Sequence, residues 1–484
     1  NAVAGVANFS GNGVKLTGLV GTRNLTATVS SPSTLVKANS VSLTVGAADH
    51  LAFGTQAAGA VNGTVFSTQP VVNIVDISGN QTTSTATVSI ASSGPTLGGT
   101  YSKAAVAGTA TFTDVKLTGT AGSVTLTYSA SGVTDLVQSI TLASSDASQL
   151  LVTVSSTLVN DTVFTIQPVI TIKDASGNVV TSGAQSTQLV TLSSTDATIG
   201  GTVSMNAVNG VADFTGKGIK LTGLVGARNL TATISSPSTI TGTASVTITY
   251  GAATQLAITT QADGAASRKA FTTQPVIKIQ DVSGNTVDNA TNTITFTSSS
   301  SGYVGTRTKA AVNGVATYSG VGIFGNAGSV TLTFGATGFT DVTQTIQLTH
   351  GDAYKIFTLG QSGSQSPRSA ATASGSLFVR QPKVAIADMD NNVVTTGTQS
   401  TQNVTVSASP SGLTGTTTVA AVAGVATFTD LKITGTIGRY DLTYTISSPS
   451  SITGTDYVTL TAGTAAKVVV TTGVAGFVNR TDFT

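Results

Sequence analysis

The sequence predicts an all-β protein made of a string of similar two-sheet domains. Three observations predict it: a repeat of domain length, strand-like alternation inside each repeat, and a composition that disfavours helices. The repeat is clearest in a segment of the form A-V-x-G. Its glycine returns at intervals of 103, 102, 104 and 110 residues, at Gly5, Gly108, Gly210, Gly314 and Gly424. A fixed period of this length is typical of an array in which each copy buries its own core.

The copies alternate between two versions. Version A contains a run from Lys15 to Thr34 that returns almost letter for letter from Lys220 to Thr239, and more loosely from Lys432 to Ser451. Version B has a different sequence at that place, beginning at Leu117 and at Phe324. The order A-B-A-B-A gives a longer period of about 205 residues. Duplication of a two-domain unit is the simplest explanation.

We expect six segments, which we call the first to sixth copies. Their predicted bounds are 1–46 (partial, A), 47–144 (B), 145–250 (A), 251–349 (B), 350–462 (A) and 463–484 (the start of a B copy). The fifth copy carries an insertion of about eight residues within Gln361–Ser376. Asn1 aligns with Asn206, which lies inside a copy, so we expect the sequence to be a window of a longer protein.

Composition favours strands and disfavours several classes of function. Charged residues make up 9% of the chain, against roughly 25% in an ordinary soluble domain, and there is no Cys, Trp or Glu. Without Glu the chain has little with which to build amphipathic helices. The net charge of +2 with scattered basic residues is unlike a nucleic-acid-binding surface. No run approaches the roughly 20 apolar residues of a membrane helix.

The third copy displays the strand pattern most clearly. Runs rich in Val, Ile and Thr alternate apolar and polar side chains, which is typical of half-buried strands. The predicted strands are Gln149–Ser155, Val169–Lys173, Gln188–Ser193, Thr202–Ala207, Val211–Thr215, Asn229–Ser235 and Ser245–Tyr250. About seven short strands, with turns every 8–12 residues, are the pattern of an immunoglobulin-like β-sandwich.

Two kinds of turn can be predicted from their residues. Asn209-Gly210 and Asn313-Gly314 are expected to form tight hairpins with positive φ at both positions. Because other copies place Ala before the same Gly, the second turn position is the stricter one.

The other turn has the form Asp-x-x-Gly-Asn, which we interpret as structural because Asp can bond the backbone ahead and Gly tolerates the left-handed region. Its members are Asp76, Gly79 and Asn80, then Asp174, Gly177 and Asn178, then Asp281, Gly284 and Asn285. In the fifth copy Asn391 takes the place of the glycine. The alternative there is a calcium loop formed by Asp388, Asp390, Asn391 and Asn392, although no Glu is available to bind the ion through both oxygens. Calcium is the one cofactor that the sequence suggests.

Three stretches, Phe271–Val287, Ala310–Tyr318 and Ala327–Phe334, resemble bacterial immunoglobulin-like repeats of the invasin and intimin type. The resemblance covers essentially the whole chain. It implies an extracellular or cell-surface location in a bacterium. It also implies a role in stalks, adhesins or surface fibres, whose receptor binding is usually carried by a specialised terminal domain that is not visible in this sequence.

No catalytic site is predicted. His50 and His350 lie at neighbouring but not equivalent places near copy boundaries, and no recurring nucleophile accompanies them, so we interpret both as exposed linker residues. Arg23, Arg228 and Arg439 recur in a loop of the A copies. They are candidate lateral contacts to aspartates of a neighbouring chain, such as Asp114, Asp213 and Asp430. The alternative is that they are solvated charges at strand ends.

The leading hypothesis is a non-catalytic extracellular structural protein that forms a surface fibre, sheath or layer by lateral and end-to-end packing. Its partners would be copies of itself or other surface components. Low charge favours this, since charged residues normally protect strands against pairing with neighbours. The alternative is a passive stalk of a large bacterial adhesin that presents a terminal binding domain. Glycan binding is disfavoured, because such sites usually use aromatic platforms and only 5% of the residues are aromatic.

Overall fold

The structure is a computed structural model that describes residues 1–236, 238–360, 372–448, 451–465 and 467–469. Most of the predicted insertion, residues 361–371, and most of the predicted sixth copy, residues 466 and 470–484, lie outside the described residues. The chain divides into two compact units, Asn1–Thr249 and Tyr250–Thr484.

The first unit contains the first three copies. The first copy has β1 (Gly21–Val29) and β2 (Leu35–Leu43). The second has β3 (His50–Thr55), β4 (Val71–Val75), β5 (Thr87–Ser92), β6 (Thr96–Gly98), β7 (Ser102–Ala104), β8 (Thr109–Thr111), β9 (Lys116–Thr118), β10 (Gly122–Ser129) and β11 (Leu136–Leu142). The third has β12 (Ala147–Thr153), β13 (Thr157–Val159), β14 (Val169–Asp174), a 3-10 turn (Ala184–Thr187), β15 (Leu189–Ser193), β16 (Thr198–Gly200), β17 (Ser204–Asn206), β18 (Val211–Asp213), β19 (Lys220–Thr222), β20 (Gly226–Ile234) and β21 (Ile240–Thr249).

The second unit contains the fourth and fifth copies. The fourth has β22 (Gln255–Thr260), β23 (Lys269–Ala270), β24 (Val276–Gln280), β25 (Thr293–Ser298), β26 (Gly302–Val304), β27 (Thr308–Ala310), β28 (Val315–Thr317), β29 (Gly322–Phe324), β30 (Gly328–Gly335) and β31 (Val342–Leu348). The fifth has β32 (Lys355–Thr358), β33 (Thr372–Ala373), β34 (Lys383–Ala387), a 3-10 turn (Thr398–Thr401), β35 (Asn403–Ser409), β36 (Leu413–Thr414), β37 (Thr418–Ala420), β38 (Val425–Thr427), β39 (Lys432–Ile433), β40 (Gly438–Ile446) and β41 (Ile452–Thr461).

Each of the second to fifth copies is a sandwich of two main sheets. A narrow sheet of three strands has the order β3-β4-β8 in the second copy, β12-β14-β18 in the third, β22-β24-β28 in the fourth and β32-β34-β38 in the fifth. A broad sheet has four strands in the B copies (β11-β10-β5-β7 and β27-β25-β30-β31) and five in the A copies (β13-β21-β20-β15-β17 and β33-β41-β40-β35-β37). The predicted all-β, immunoglobulin-like fold is confirmed.

The fifth strand of an A copy pairs in parallel with the last strand of the same copy. Thr157 to Val159 lie opposite Thr247 to Thr249, and Thr372 lies opposite Leu460. In the B copies a single parallel bridge occupies this place, as between Val61 and Ala143. In the second to fifth copies, a segment that follows the first strand therefore lies beside the end of the last strand and runs in the same direction.

The cores lie between the two sheets. Inward residues of the broad sheet, such as Val190 and Leu230, meet inward residues of the narrow sheet, such as Ile170 and Ile172, and all four are fully buried. The four core clusters draw on residues 51–142, 150–248, 256–348 and 356–460. Since each cluster falls within one predicted copy, we propose the copy bounds as domain bounds.

The third copy contains three short strands that the sequence pattern does not predict, namely Thr157–Val159, Thr198–Gly200 and Lys220–Thr222. Each has three residues, which is too few to establish an alternation. Each also pairs with a strand that is not its neighbour in sequence, so its formation depends on tertiary contacts.

The Asn-Gly hairpins form as predicted. Asn209 and Gly210 have φ of 50° and 79°, and Ala107 in the second copy takes the same first position at 48°. A Cβ on Gly210 would lie 2.5 Å from the backbone oxygen of Val180. The second position therefore excludes any side chain, while the first needs only a residue that tolerates positive φ.

We expect Gly210→Ala to lower the free energy of unfolding of the third copy by about 2–4 kcal/mol, because backbone strain and a backbone clash act together. Gly216→Ala is the matched control, since Gly216 has φ +75° but nothing within 4 Å of its would-be Cβ. The control should cost only about 1 kcal/mol. Calorimetry of the full chain measures both variants, and equal losses would contradict the clash.

Candidate functional site

The Asp-x-x-Gly-Asn turn is closed by its own aspartate. In the second copy, Oδ1 of Asp76 accepts the backbone N–H groups of Ser78 and Asn80, both at 2.9 Å. The same pair of bonds is made by Asp174, Asp281 and Asp388, at 2.8–3.0 Å. Gly79 has φ 82°, and Asn391 takes the left-handed conformation in the fifth copy with φ 70°.

The second oxygen of each aspartate holds the linker that enters the copy. Oδ2 accepts the backbone N–H of Gly46, Ser145, Gly251 and Gly351 in the second to fifth copies, at 2.9, 3.0, 2.9 and 2.7 Å. It also accepts the Nδ2–H of the turn's own asparagine, as at 2.9 Å in the second copy. Each carboxylate thus has donors on both oxygens, and these charge-assisted bonds are the stronger kind.

The asparagine of the turn forms two hydrogen bonds with a loop of the preceding copy. Oδ1 of Asn80 accepts the N–H of Val20 at 2.8 Å, and its Nδ2 donates to the oxygen of Gly18 at 2.9 Å. In the same way, Nδ2 of Asn178 donates to the oxygen of Gly119 at 2.9 Å, and its Oδ1 accepts the N–H of Ala121 at 2.8 Å.

Within the second unit, Nδ2 of Asn392 donates to the oxygen of Gly325 at 2.9 Å, and its Oδ1 accepts the N–H of Ala327 at 2.7 Å. A side-chain amide has both N–H donors and an acceptor oxygen, so it can donate to the aspartate and still pair with this backbone as a neighbouring β-strand would. We use the word joint for a set of four parts: the aspartate, its asparagine, the linker N–H, and the loop of the preceding copy that is bonded to the asparagine.

The joint between the second and third copies contains one further amide. Asn62 is 4% exposed. Its Nδ2 donates to Oδ2 of Asp174 at 3.0 Å, and its Oδ1 accepts the N–H of Gly119 at 3.0 Å. Asn62 therefore fastens the carboxylate of one copy to the loop of the other. Sequence reasoning missed it, since the only signal was the recurrence of an asparagine as Asn160 in the third copy.

The joint between the fourth and fifth copies uses an ion pair instead. Ser267 stands at the place of Asn62, and its hydroxyl donates to Asp390 at 2.6 Å. The guanidinium of Arg268 binds both oxygens of Asp390, at 3.0 Å from Nε and 2.7 Å from Nη2. It also lies 4.3 Å from the centre of the Phe324 ring. Lys269 adds an exposed pair with Asp352 at 2.8 Å.

Hydrogen bonds lower the pKa of three aspartates at the joints, Asp76, Asp174 and Asp390. The pKa of Asp76 is lowered to about 2, chiefly by the backbone N–H of Gly46 and then by the amide of Asn80. Burial alone would raise the pKa of Asp174, yet hydrogen bonds from Asn62, Asn178 and the Ser145 N–H lower it to about 2. Burial also opposes the charge of Asp390, and its bond with Arg268 holds the pKa of that carboxyl below its usual range.

The predicted calcium ligands lie in the fourth–fifth joint, where their oxygens face hydrogen-bond donors. Asp388 accepts four N–H groups, those of Asp390, Asn392 (backbone and side chain) and Gly351. The oxygens of Asp390 are bound by Arg268 and Ser267. Among the described residues, no group of three or more His, Cys, Asp or Glu side chains is arranged to hold a metal ion.

The candidate lateral arginines are engaged within their own copies. Arg23 donates to the oxygen of Leu19, and Arg228 donates to that of Leu224 at 2.9 Å, so each supports its own loop. Arg439 pairs with Asp441 at 2.6 Å. Their suggested partners also bond locally: Asp114 accepts from Thr100, Asp213 from Thr215 and Asp430 from Thr416.

The two histidines lie at copy boundaries and bond to nearby groups. His50 contacts Asp49 at 2.9 Å. Nδ1 of His350 is 2.8 Å from the oxygen of Gly351, and its Nε2 accepts the backbone N–H of Thr396 at 3.2 Å. His50 begins β3 and both histidines are partly buried, so the interpretation of both as exposed linker residues is wrong. No described helix is long and apolar enough to cross a membrane.

No family model matches the chain, and no curated protein does so either. Solved structures do match it. It is 16% identical to invasin, a bacterial integrin-binding protein, over 86% of this chain and 79% of that one, with a TM-score of 0.28. It is 19% identical to FdeC, an adhesin of Escherichia coli, over 64% of this chain and 100% of that one, with a TM-score of 0.31.

A third match is the surface layer protein SbsC, domains 1–6, at 16% identity over 86% of this chain and 55% of that one, with a TM-score of 0.23. The chain is similar to bacterial immunoglobulin-like repeat arrays. The resemblance predicted from the sequence is confirmed as a likeness of fold, and the domain architecture itself rests on the strand pairing and the cores described above.

Acid should open the joints. Because the pKa of Asp76 and Asp174 falls from the ordinary value of 3.8 to about 2, their contribution is complete above about pH 4 and is lost as the pH falls through about 2. Small-angle scattering of the full chain should detect the added flexibility. Asp174→Asn should produce at pH 7 the change that wild type undergoes only in acid, and Asp213→Asn, outside any joint, should not.

Arg268→Gln should loosen the fourth–fifth joint. The pair with Asp390 is partly buried, with the two side chains 41% and 13% exposed, so we expect about fivefold faster cleavage by chymotrypsin after Tyr354. High salt should have a similar effect on wild type. The matched control is Arg439→Gln, which removes an ion pair lying within a single strand. Equal cleavage of both variants would show that the joint does not depend on Arg268.

Proposed function

We propose that this chain is a non-catalytic structural segment of a bacterial surface protein. It serves as a stiff spacer whose copies pack end to end and side by side in a fibre, sheath or layer. The observation that carries the proposal is the joint, which recurs between the first and second, second and third, and fourth and fifth copies. In each joint an asparagine that donates to the charged aspartate also forms two hydrogen bonds with the backbone of the preceding copy.

The joint supports stiffness for a physical reason. Domains connected by a free linker are expected to move relative to one another. Here a bend would pull Asn178 away from the loop of the preceding copy and would strip donors from Asp174. A buried carboxylate that loses its donors incurs a desolvation cost of about 1–3 kcal/mol or more. Bending one joint therefore means breaking several bonds together.

A stalk of a large adhesin is the second candidate, and the joint favours it too, because a stalk also has to resist bending. Assembly separates the two functions, since a stalk needs no neighbours. The low charge, 9% of residues with a net charge of +2, favours assembly because little electrostatic repulsion keeps copies apart.

Electron microscopy of the native protein at neutral pH tests the proposal. We expect ordered tubes, sheets or fibres with an axial repeat of one or two copies, unchanged by a calcium chelator because the joints use N–H donors. Isolated straight strings would assign the chain to a stalk, and flexible strings would refute the stiff spacer. Loss of order only with the chelator would restore the calcium hypothesis at Asp388.

A further inference from the structure

The outer face of the broad sheet is a lattice of small hydroxyl side chains. In the third copy, the strand register places Thr191, Thr233 and Thr241 in one row across three strands. The next row contains Ser193, Thr231 and Thr243. These residues point away from the core, because their sequence neighbours Leu192, Ala232 and Ile234 are buried.

The same lattice recurs in the other copies of the sandwich. The second copy has a row of Thr125 and Ser139. The fourth has Thr297, Thr333 and Thr343. The fifth has Thr418, Thr405, Thr445 and Thr453. Both the A and the B copies therefore have an outer face of hydroxyl side chains on the broad sheet.

Charge is kept off this face. Among the described strand positions of the second, third and fourth copies, none of the outward positions of the broad sheet is charged. In the fifth copy the outward charges are Arg439 and Asp441, which pair with each other. The outward positions of the narrow sheets, by contrast, include Lys173, Lys278 and Lys383. Lys103 and Lys309, on edge strands of the broad sheets, lie in register with the buried Val88 and Ile294 and so belong to the other side of the sheet. The two sides of the sandwich therefore differ in charge although both meet solvent.

We propose that the hydroxyl face of the broad sheet docks on the same face of a second copy of this chain. This inference rests on the proposed function and names the surface that carries lateral packing. It replaces the arginine loops, whose guanidinium groups are already engaged within their own copies.

The face is complementary to itself. Outward residues repeat at about 4.8 Å across the strands and about 6.7 Å along them, and two such sheets pack about 10 Å apart. A hydroxyl both donates and accepts, so it can bond to a hydroxyl of the partner in either direction. Pairs of this kind already form within the face: Thr405 and Thr418 are 3.0 Å apart, and Ser89 and Ser102 are 2.9 Å apart. In the second, third and fourth copies, docking of this face desolvates no charged outward strand position.

The area of the face explains why an array is needed. Four strands of about seven residues span roughly 19 by 23 Å, or roughly 450 Å² per copy. A stable interface buries about 800 Å² on each partner. One copy therefore falls short, whereas two copies engaged together reach the required area. When several copies of one chain bind several copies of a second chain, their individually weak contacts together give a stable association.

The test places two lysines on the face and, in a control, two on the opposite sheet. The face variant is Thr243→Lys with Thr331→Lys. The control is Thr153→Lys with Thr260→Lys, which adds the same charge at exposed positions of the narrow sheets of the same two copies. Analytical ultracentrifugation of the full chain over a range of concentrations measures self-association. Calorimetry checks that both variants remain folded.

We expect wild type and the control to self-associate with the same dissociation constant. The face variant should have a dissociation constant at least about tenfold higher, since the docked lysines would be buried without partners. Assembly that is indifferent to the face variant, or lost equally in the control, overturns this inference and leaves the proposed function standing. A wild type that stays monomeric overturns both. Binding of a cell-wall polysaccharide that only the face variant loses, with self-association intact, would assign the face to a glycan instead.

Discussion

The carboxylate oxygens of a buried aspartate need hydrogen-bond donors, and the arrangement of neighbouring copies at the described joints depends on that requirement. The carboxylate of each Asp-x-x-Gly-Asn turn takes donors from its own turn, from the incoming linker and from its asparagine. In three of these turns the asparagine, Asn80, Asn178 or Asn392, is then oriented so that it also donates to and accepts from the backbone of the preceding copy. Satisfying one charge therefore fixes the turn, the linker and, at the described joints, the position of the neighbouring domain.

The sequence predicts what depends on local chemistry. The period, the alternation of Val and Thr, and the Asn-Gly hairpins identify the fold, because each is set by residues close together in the chain. The turn at Asp174 is local in the same way. Its reach to Gly119 is not, since that loop belongs to another copy and no pattern in either segment marks the pairing.

Two further elements of the site show the same limit. Asn62 has no neighbour in sequence that identifies it as a ligand of Asp174. Arg268 and Asp390 meet only because a joint brings the ends of two domains together. Arg228 recurs at equivalent places in the sequence, but recurrence does not say where a guanidinium donates. In the structure it donates to the backbone of its own loop.

The parallel pairing of the first and last parts of each A copy has a mechanical consequence. A pulling force applied to the two ends of the third copy acts along Thr157–Val159 and along the end of the last strand, in opposite directions. Hydrogen bonds between parallel strands lie across that direction, so the load is shared by all of them at once instead of opening them one by one. The A copies, with a paired strand where the B copies have a single bridge, should be the links that yield last under tension. A chain with alternating links of this kind would lengthen in steps under shear flow at a cell surface before it breaks.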